Sequence, residues 1–284
     1  MDKKKLRIGR IITQGQLSKK RSDRLEYCYE ATLSACQGLA GHLSVIQTPG
    51  GFLRDYQDLS SYISGPSSNY EHFSKITENA EKLVSQLMDH HSLKSVLKDK
   101  TDFLTLGLDV FDINDSGRQA ELVGTYDTKE EKVRCWTGKS YPTARQVDTL
   151  IYCTKLETHF QVIDGLSFMV LGCHDLNLFS PRSRASVSKG SFKERAISEM
   201  QALSDRVKPL VVLQHPHTTD SPRIWQAGWS GVNRWVPSAS VYSSGIHYAN
   251  RDGLSPRQSL PSVLRATAVG PVENFVVPDL NTEA

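Results

Sequence analysis

The amino-acid sequence predicts an α/β protein. Short apolar runs typical of strands alternate with amphipathic helices towards both ends of its 284 residues. Between them lie pairs of strand-like segments separated by polar turns, a pattern typical of β-hairpins. Because alternating helices and strands bury their apolar faces by stacking helices on a sheet, the order predicts a layered fold, and the hairpins make its sheet mixed.

The first part of the chain alternates strands with helices. Each helix carries apolar residues three or four positions apart, whereas each strand is a short apolar run. In order, the predicted elements are strand 6–13, a helix following Asp23, strand 42–47, helix 70–90 and strand 103–110.

Two hairpins and a second alternating region follow. The second hairpin has Asp164-Gly165 at its turn, a common two-residue connection. After residue 250 the chain is rich in Pro, Ser and Gly, so we expect one domain over residues 1–250 and an irregular tail over 251–284. The predicted elements are strands 120–126, 132–137, 160–163 and 166–171, helix 191–207, strand 210–214, helix 221–235 and strand 239–244.

Composition excludes several functional classes. Lys and Arg total 34 against 31 Asp and Glu, and this net charge of +3 is too small for a nucleic-acid-binding stripe. No apolar run approaches the ~20 residues of a membrane span, and none follows the basic residues 1–5 as a secretory signal requires. Five cysteines without a Cys-x-x-Cys pair are typical of free thiols in a reducing compartment. We therefore expect a cytoplasmic protein that binds neither nucleic acid nor membranes.

Reactive side chains follow three of the predicted strands. Lys139, Cys173 and His215 each come just after the end of a strand, and ligands of open α/β sheets bind beyond the carboxyl ends of strands. A thiol is a good nucleophile but mostly protonated at neutral pH. A neighbouring ammonium lowers its pKa and binds a developing oxyanion. Lys139 serves both purposes if it faces Cys173.

These segments resemble motifs of the nitrilase, or carbon–nitrogen hydrolase, superfamily. Its members use a Glu, a Lys and a Cys on separate strand ends to cleave nitriles or amides through a thioester-type intermediate. FMVLGCHD, at 168–175, resembles the family's Cys-aromatic-Asp motif, with His174 in the aromatic position. Lys139 precedes Cys173 by 34 positions, close to the family spacing. The resemblance covers about residues 6–245 and implies a four-layer α-β-β-α sandwich with two mixed sheets.

The family's Glu is missing. PGGFLRDY, at 49–56, resembles the segment that carries it, but Gly50 stands in its place. Hydrolysis still needs a proton acceptor for water. His215 is the first candidate, because its strand would lie near the strand of Cys173, and Asp55 and Asp58 are alternatives.

The resemblance also implies the remaining roles. Cys173 is the nucleophile and Lys139 the oxyanion partner, while Asp175 supports the cysteine loop together with His174. The Gly50-Gly51 pair itself, apart from the resemblance, predicts a tight turn that needs a positive φ. No cofactor is expected.

Three functional hypotheses follow. The first is a divergent carbon–nitrogen hydrolase acting on a small amide or nitrile. The second is a nitrilase-fold protein that has lost hydrolysis and serves as a binding or assembly module, which Gly50 favours. The histidine pair of His215-Pro216-His217 favours the first hypothesis, but it also suggests a third, a metal-dependent hydrolase. This third hypothesis is the weakest, because residues 6–47 contain neither the Asp-x-His nor the Gly-Asp that metallophosphoesterases carry early in the chain, and a metal would also need convergent carboxylates. No metal is expected.

Three tryptophans lie on the predicted helix 221–235. Trp225, Trp229 and Trp235 indicate either internal packing or an oligomer interface. Proteins that resemble this one commonly associate through such helices, so we expect a homo-oligomer.

Overall fold

Thirteen strands and seven helices are assigned in the computed structural model, which describes residues 6–90, 93–163, 165–250 and 252–277. Residues 1–5 and Asp164 of the predicted turn lie outside the described residues. The strands are β1 (Ile8–Gln14), β2 (Leu43–Gln47), β3 (Leu53–Gln57), β4 (Thr101–Asp112), β5 (Gln119–Asp127), β6 (Lys132–Gly138), β7 (Phe160–Ile163), β8 (Leu166–Leu171), β9 (Val211–Gln214), β10 (Val241–Ser244), β11 (Ile246–Tyr248), β12 (Ala268–Val269) and β13 (Val272–Val276). The helices are α1 (Arg21–Gly38), α2 (Tyr70–Met88), α3 (Leu93–Lys100), α4 (Pro181–Ser186), α5 (Phe192–Val207), α6 (Gln226–Trp235) and α7 (Leu260–Ala266).

The strands form two mixed sheets. The first has eight strands along the path β11-β1-β2-β4-β5-β6, with β13 beside β1 and β3 beside β4. Its strands β1, β2 and β4 are parallel, whereas β4, β5 and β6 are antiparallel. The second sheet has the order β12-β10-β9-β8-β7, with a parallel centre and an antiparallel strand at each edge. The predicted α/β class with mixed sheets is confirmed.

Apolar packing fixes the order of the layers. Ile8 and Val45 of the first sheet share a buried cluster with Val170 and Val211 of the second, so the two sheets pack face to face. Helices α1, α2 and α3 cover the outer face of the first sheet, and α5 and α6 cover the outer face of the second. The result is the α-β-β-α sandwich that the resemblance implied.

Residues 252–277 contain more regular structure than their composition predicts. It contains α7, β12 and β13, and β13 pairs with β1 from Ile8 to Ile12. The guanidinium of Arg10 is buried and donates to the carbonyl oxygens of Leu264 and Thr267, at 2.7 and 3.1 Å. The prediction of an irregular tail is therefore wrong for residues 260–276, because contacts with β1 organise a segment that has little local pattern of its own.

The tryptophans of α6, and Trp225 directly before it, have packing partners within the same chain. Trp225 and Trp229 are buried in the core beneath the second sheet, and the guanidinium of Arg184 lies 4.2 Å from the centre of the Trp235 ring. Packing within one chain thus accounts for them, and the homo-oligomer stays a prediction. Within the described ranges, no helix has the length and apolar character needed to cross a membrane.

Candidate active site

The candidate nucleophile lies where the second sheet ends. β8 and β9 are parallel and pair Leu171 with Gln214, so the segments that follow them leave the sheet side by side. The backbone N–H of His217 donates to Sγ of Cys173 at 3.4 Å, and Nε2 of Gln214 donates to the carbonyl oxygen of Cys173 at 3.0 Å. Cys173 is buried. Its sulfur is therefore held against the segment after β9.

Lys139 is brought to the same place by the first sheet. It follows β6 directly, and only 2% of the residue is exposed. Its Nζ donates to Oε1 of Glu121 at 2.8 Å and to Oε1 of Gln146 at 2.6 Å. Burial alone would lower the pKa of Lys139, but Glu121 and Cys173 raise it above its ordinary value. Lys139 is thus a buried ammonium whose charge acts on Cys173.

Two carboxylates that were not predicted belong to this site. Asp109 of β4 and Glu121 of β5 are direct cross-strand partners, and both are buried. Like charges opposite one another on neighbouring strands repel and are destabilising unless a cation compensates them. The side chains of Lys139 and His217 supply that compensation.

His217 lies between the two carboxylates. Its Nε2 is 2.7 Å from Oδ1 of Asp109, and its Nδ1 is 3.6 Å from Oε2 of Glu121. Desolvation disfavours the charged ring, but the two carboxylates outweigh it and raise the pKa of His217 well above its usual value. The pKa of Glu121, which burial alone would raise, is lowered by His217 and Lys139. We therefore expect an imidazolium next to Cys173 at neutral pH.

His215 has a different environment. It lines the same narrow cleft as Cys173 and His217, but it is 1% exposed and burial lowers its pKa to about 3. A base with so low a pKa is poorly matched to proton transfer near neutral pH. The geometry thus favours His217 over the predicted His215. The alternatives Asp55 and Asp58 contact Arg21 and Ser60, respectively.

The missing side chain at Gly50 has a steric explanation. A Cβ atom added there would lie 2.4 Å from the carbonyl oxygen of His215 and 3.2 Å from Nδ1 of His217. The backbone N–H of Gly50 also donates to the carbonyl oxygen of Pro216 at 3.0 Å. The segment 215–217 therefore occupies the space that a side chain at residue 50 would need.

Asp175 connects the lysine turn to the cysteine loop. Its Oδ1 accepts from the backbone N–H groups of Ser140 and Tyr141, at 2.8 and 2.7 Å, and its Oδ2 accepts from that of Gly172 at 2.9 Å. His174 contacts the edge of the Trp225 ring instead, with 5.5 Å between the ring centres. Asp175 thus sets the separation of Lys139 and Cys173, while His174 packs against Trp225, the residue directly before α6.

The site has a donor set suited to a metal ion. One ligand atom each from Glu121, Cys173 and His217 lies within 4.8 Å of the other two. The sequence predicted Lys139 and Cys173 as site residues, whereas it indicated His217 only as part of the histidine pair. Asp109 and Glu121 carry a sequence signal that is visible only afterwards, an acidic residue inside an otherwise apolar strand.

Solved structures with a similar fold include mutants of an amidase from Nesterenkonia sp. AN1. One carries the acetamide moiety of fluoroacetamide covalently at its active-site cysteine and matches with a TM-score of 0.51 and 15% identity, over 88% of this chain and 79% of that chain. Another, described as an amidase from the nitrilase superfamily, matches with a TM-score of 0.50 and 14% identity, over 88% and 80%. No family model and no curated protein matches the sequence. The chain thus has a nitrilase-like fold.

Proposed function

We propose that this protein is a carbon–nitrogen hydrolase that cleaves a small amide or nitrile with Cys173 as its nucleophile. The observation that carries the proposal is a ring nitrogen of His217 within 4.8 Å of the sulfur of Cys173, on a ring that Asp109 orients through Nε2. A nucleophile, a base and a group that orients the base are the arrangement by which hydrolases activate a thiol. The amidase of similar fold forms its acetamide adduct at a cysteine, which supports the same chemistry here.

Acylation of the enzyme uses the charges of the site. The raised pKa of His217 favours a thiolate–imidazolium pair with Cys173. The thiolate attacks the amide carbon, the C=O electron pair moves to oxygen, and the ammonium of Lys139 stabilises the resulting oxyanion. The imidazolium then gives its proton to the leaving nitrogen as the C–N bond breaks. The products are a free amine or ammonia and an acyl thioester on Cys173.

Deacylation reverses the proton transfer. Neutral His217 accepts a proton from water, whose oxygen attacks the thioester carbon. The C–S bond then breaks and releases the carboxylic acid and the Cys173 thiolate. Asp109 keeps Nε2 of His217 bonded throughout, so that Nδ1 is the nitrogen that exchanges the proton. His217 with Asp109 thus takes the role that the family gives to the Glu missing at Gly50.

Selective alkylation tests the nucleophile. The protein is treated briefly with iodoacetamide between pH 5 and 8, and the modified peptides are mapped by mass spectrometry. Cys135 is the internal reference, since it is partly exposed but burial raises its pKa to about 11. We expect Cys173 to react first despite its burial. Equal or faster labelling of Cys135 would contradict an activated nucleophile at Cys173. The hypothesis of a nitrilase-fold binding or assembly module without hydrolytic activity would then be favoured.

Turnover tests the base. Ammonia release is measured over a panel of small aliphatic amides and nitriles. General acid–base groups contribute about 10²–10⁴-fold to rates, so His217→Asn should lose activity by that factor. His72→Asn, at a histidine that accepts a hydrogen bond from the backbone of Ile63 outside the site, is the matched control and should keep it. Loss of activity in the control or retention in His217→Asn would remove His217 from the mechanism.

A further inference from the structure

The donor set at the candidate active site suits a second kind of ligand. We propose that a zinc-class divalent transition metal binds to Cys173, Glu121 and His217 and blocks the nucleophile. The binding stands on the geometry alone, whereas the blocking rests on the proposed function. The three ligand atoms lie within 4.8 Å of one another. Zinc bonds of about 2.0–2.3 Å place tetrahedral ligands about 3–4 Å apart, so the side chains need to move by only about 1 Å.

The carboxylate offers a free oxygen to this site. Oε1 of Glu121 accepts from Lys139 and Gln146, at 2.8 and 2.6 Å. Oε2 is buried and makes no hydrogen bond with any residue that the structure describes. Because Glu121 is only 9% exposed, this oxygen has little access to water. Nδ1 of His217, at 3.6 Å, is too far to donate a hydrogen bond to this oxygen. A buried carboxylate oxygen without a hydrogen bond is costly, and a bound cation would satisfy it.

The histidine is already arranged as a metal ligand. In protein zinc sites, a ligating histidine usually donates its other ring N–H to a carboxylate, which fixes the tautomer. Nε2 of His217 has such a partner in Asp109 at 2.7 Å, and Nδ1 faces Glu121. Asp109 thus leaves Nδ1 as the nitrogen that ligates a metal once its proton is released. Three protein ligands leave a fourth position for water.

The local charge balance also favours a divalent cation. When a metal binds, Cys173 is a thiolate and His217 is neutral, so the proton that the thiolate–imidazolium pair carries on His217 is released to solvent. Asp109, Glu121 and Cys173 then carry three negative charges against the single positive charge of Lys139. The ammonium of Lys139 repels a metal, but it holds Oε1 and leaves Oε2 on the side of His217. The net charge of about −2 matches that of a zinc-class ion.

Cobalt titration of the full chain reports sulfur ligation directly. Co²⁺ bound to a thiolate absorbs in the near ultraviolet through sulfur-to-metal charge transfer. We expect this band to form in the native protein, to disappear in Cys173→Ser, and to need at least 10-fold more Co²⁺ in Glu121→Gln. Cys135→Ser, at the partly exposed cysteine, is the matched control and should keep the band. Thermal unfolding verifies that each variant is folded.

The result that overturns the site is equally direct. Absence of the band in the native protein at millimolar Co²⁺, or its loss in Cys135→Ser, excludes metal ligation at Cys173. In a parallel measurement, Zn²⁺ should slow iodoacetamide labelling of Cys173 at least 10-fold, and EDTA should restore it. Unchanged labelling would contradict the blocking of the nucleophile.

Turnover separates the two proposals. If zinc binds but this protein has no amidase or nitrilase activity, the metal site is supported and the proposed hydrolase function is contradicted. Zinc that inhibits an active enzyme reversibly supports both. Activation by zinc would overturn the inhibitory role and favour metal-dependent hydrolysis.

Discussion

Placing a side chain at residue 50 should damage the site, even when that side chain is the family's glutamate. A Cβ atom at Gly50 meets the carbonyl oxygen of His215 at 2.4 Å and Nδ1 of His217 at 3.2 Å. Contacts under 3.0 Å are essentially unknown for real Cβ atoms, so the backbone of 215–217 must shift. That shift moves the N–H of His217, which holds the sulfur of Cys173.

The expected loss of stability follows from the steric overlap of the new Cβ atom with the segment 215–217. Overpacking of a tight interior typically costs about 1–3 kcal/mol. For a domain of about this size, each kcal/mol lowers the melting temperature by roughly 2–4 °C. Gly50→Ala should therefore melt about 2–12 °C lower than the native protein. Gly50→Glu should melt lower still, because it adds a carboxylate next to Asp109 and Glu121.

Calorimetry together with the alkylation rate of Cys173 measures this prediction. Gly190→Ala is the control, since a Cβ atom there has nothing within 4 Å and only the positive φ of 75° is strained. It should lose some stability but leave Cys173 reactivity unchanged. If Gly50→Glu were as stable as the native protein and hydrolysed amides faster, the inference that His217 replaces the family's glutamate would be refuted.

Further predictions concern the buried charges. Lys139→Met leaves Glu121 without its ammonium, and breaking a buried pair costs about 3–5 kcal/mol, measurable by urea unfolding. The pKa of Glu121 is depressed, from an ordinary 4.5 to about 2, so its stabilisation is complete above pH 4.5 and is lost as the pH falls towards 2. Urea unfolding across that window should be less pH-dependent in Glu121→Gln than in the native protein. Asp175→Asn weakens three backbone hydrogen bonds and should cost about 1–3 kcal/mol and slow Cys173 alkylation. Arg10→Met should expose 260–276 to limited proteolysis without changing alkylation of Cys173.

Local pattern was enough to predict most of the fold. The helical spacing of α2 and α5 and the apolar runs of β4, β8 and β9 are properties of short segments, so the sequence shows them directly. β3 was missed because its residues alternate with charges after a tight turn, and only pairing with β4 makes it a strand. β12 and β13 were missed because their residues show little strand pattern of their own. They become strands only through pairing with β10 and β1, respectively.

The candidate site could be predicted only in part. Cys173 and Lys139 belong to recognisable sequence motifs. Each also follows the end of a predicted strand, so the sequence places both at the ends of the sheets. The meeting of Asp109 with Glu121 depends on the register of β4 against β5, which the sequence does not display. The choice between His215 and His217 depends on the path of the chain through Pro216. This path leaves the ring of His215 buried away from charged partners that would hold its proton and places the ring of His217 between two carboxylates.

The pairing of β1 with β13 has a consequence for synthesis. Ile8 pairs with Val272, so the edge of β1 waits for residues that the ribosome adds much later. At about 5–20 residues per second, that interval is on the order of 10–50 s. During it the nascent chain shows an unpaired strand edge, a surface prone to intermolecular pairing, and Arg10 lacks its carbonyl partners. A pause in translation before residue 272 would therefore prolong the period in which the edge of β1 is open to pairing with another chain.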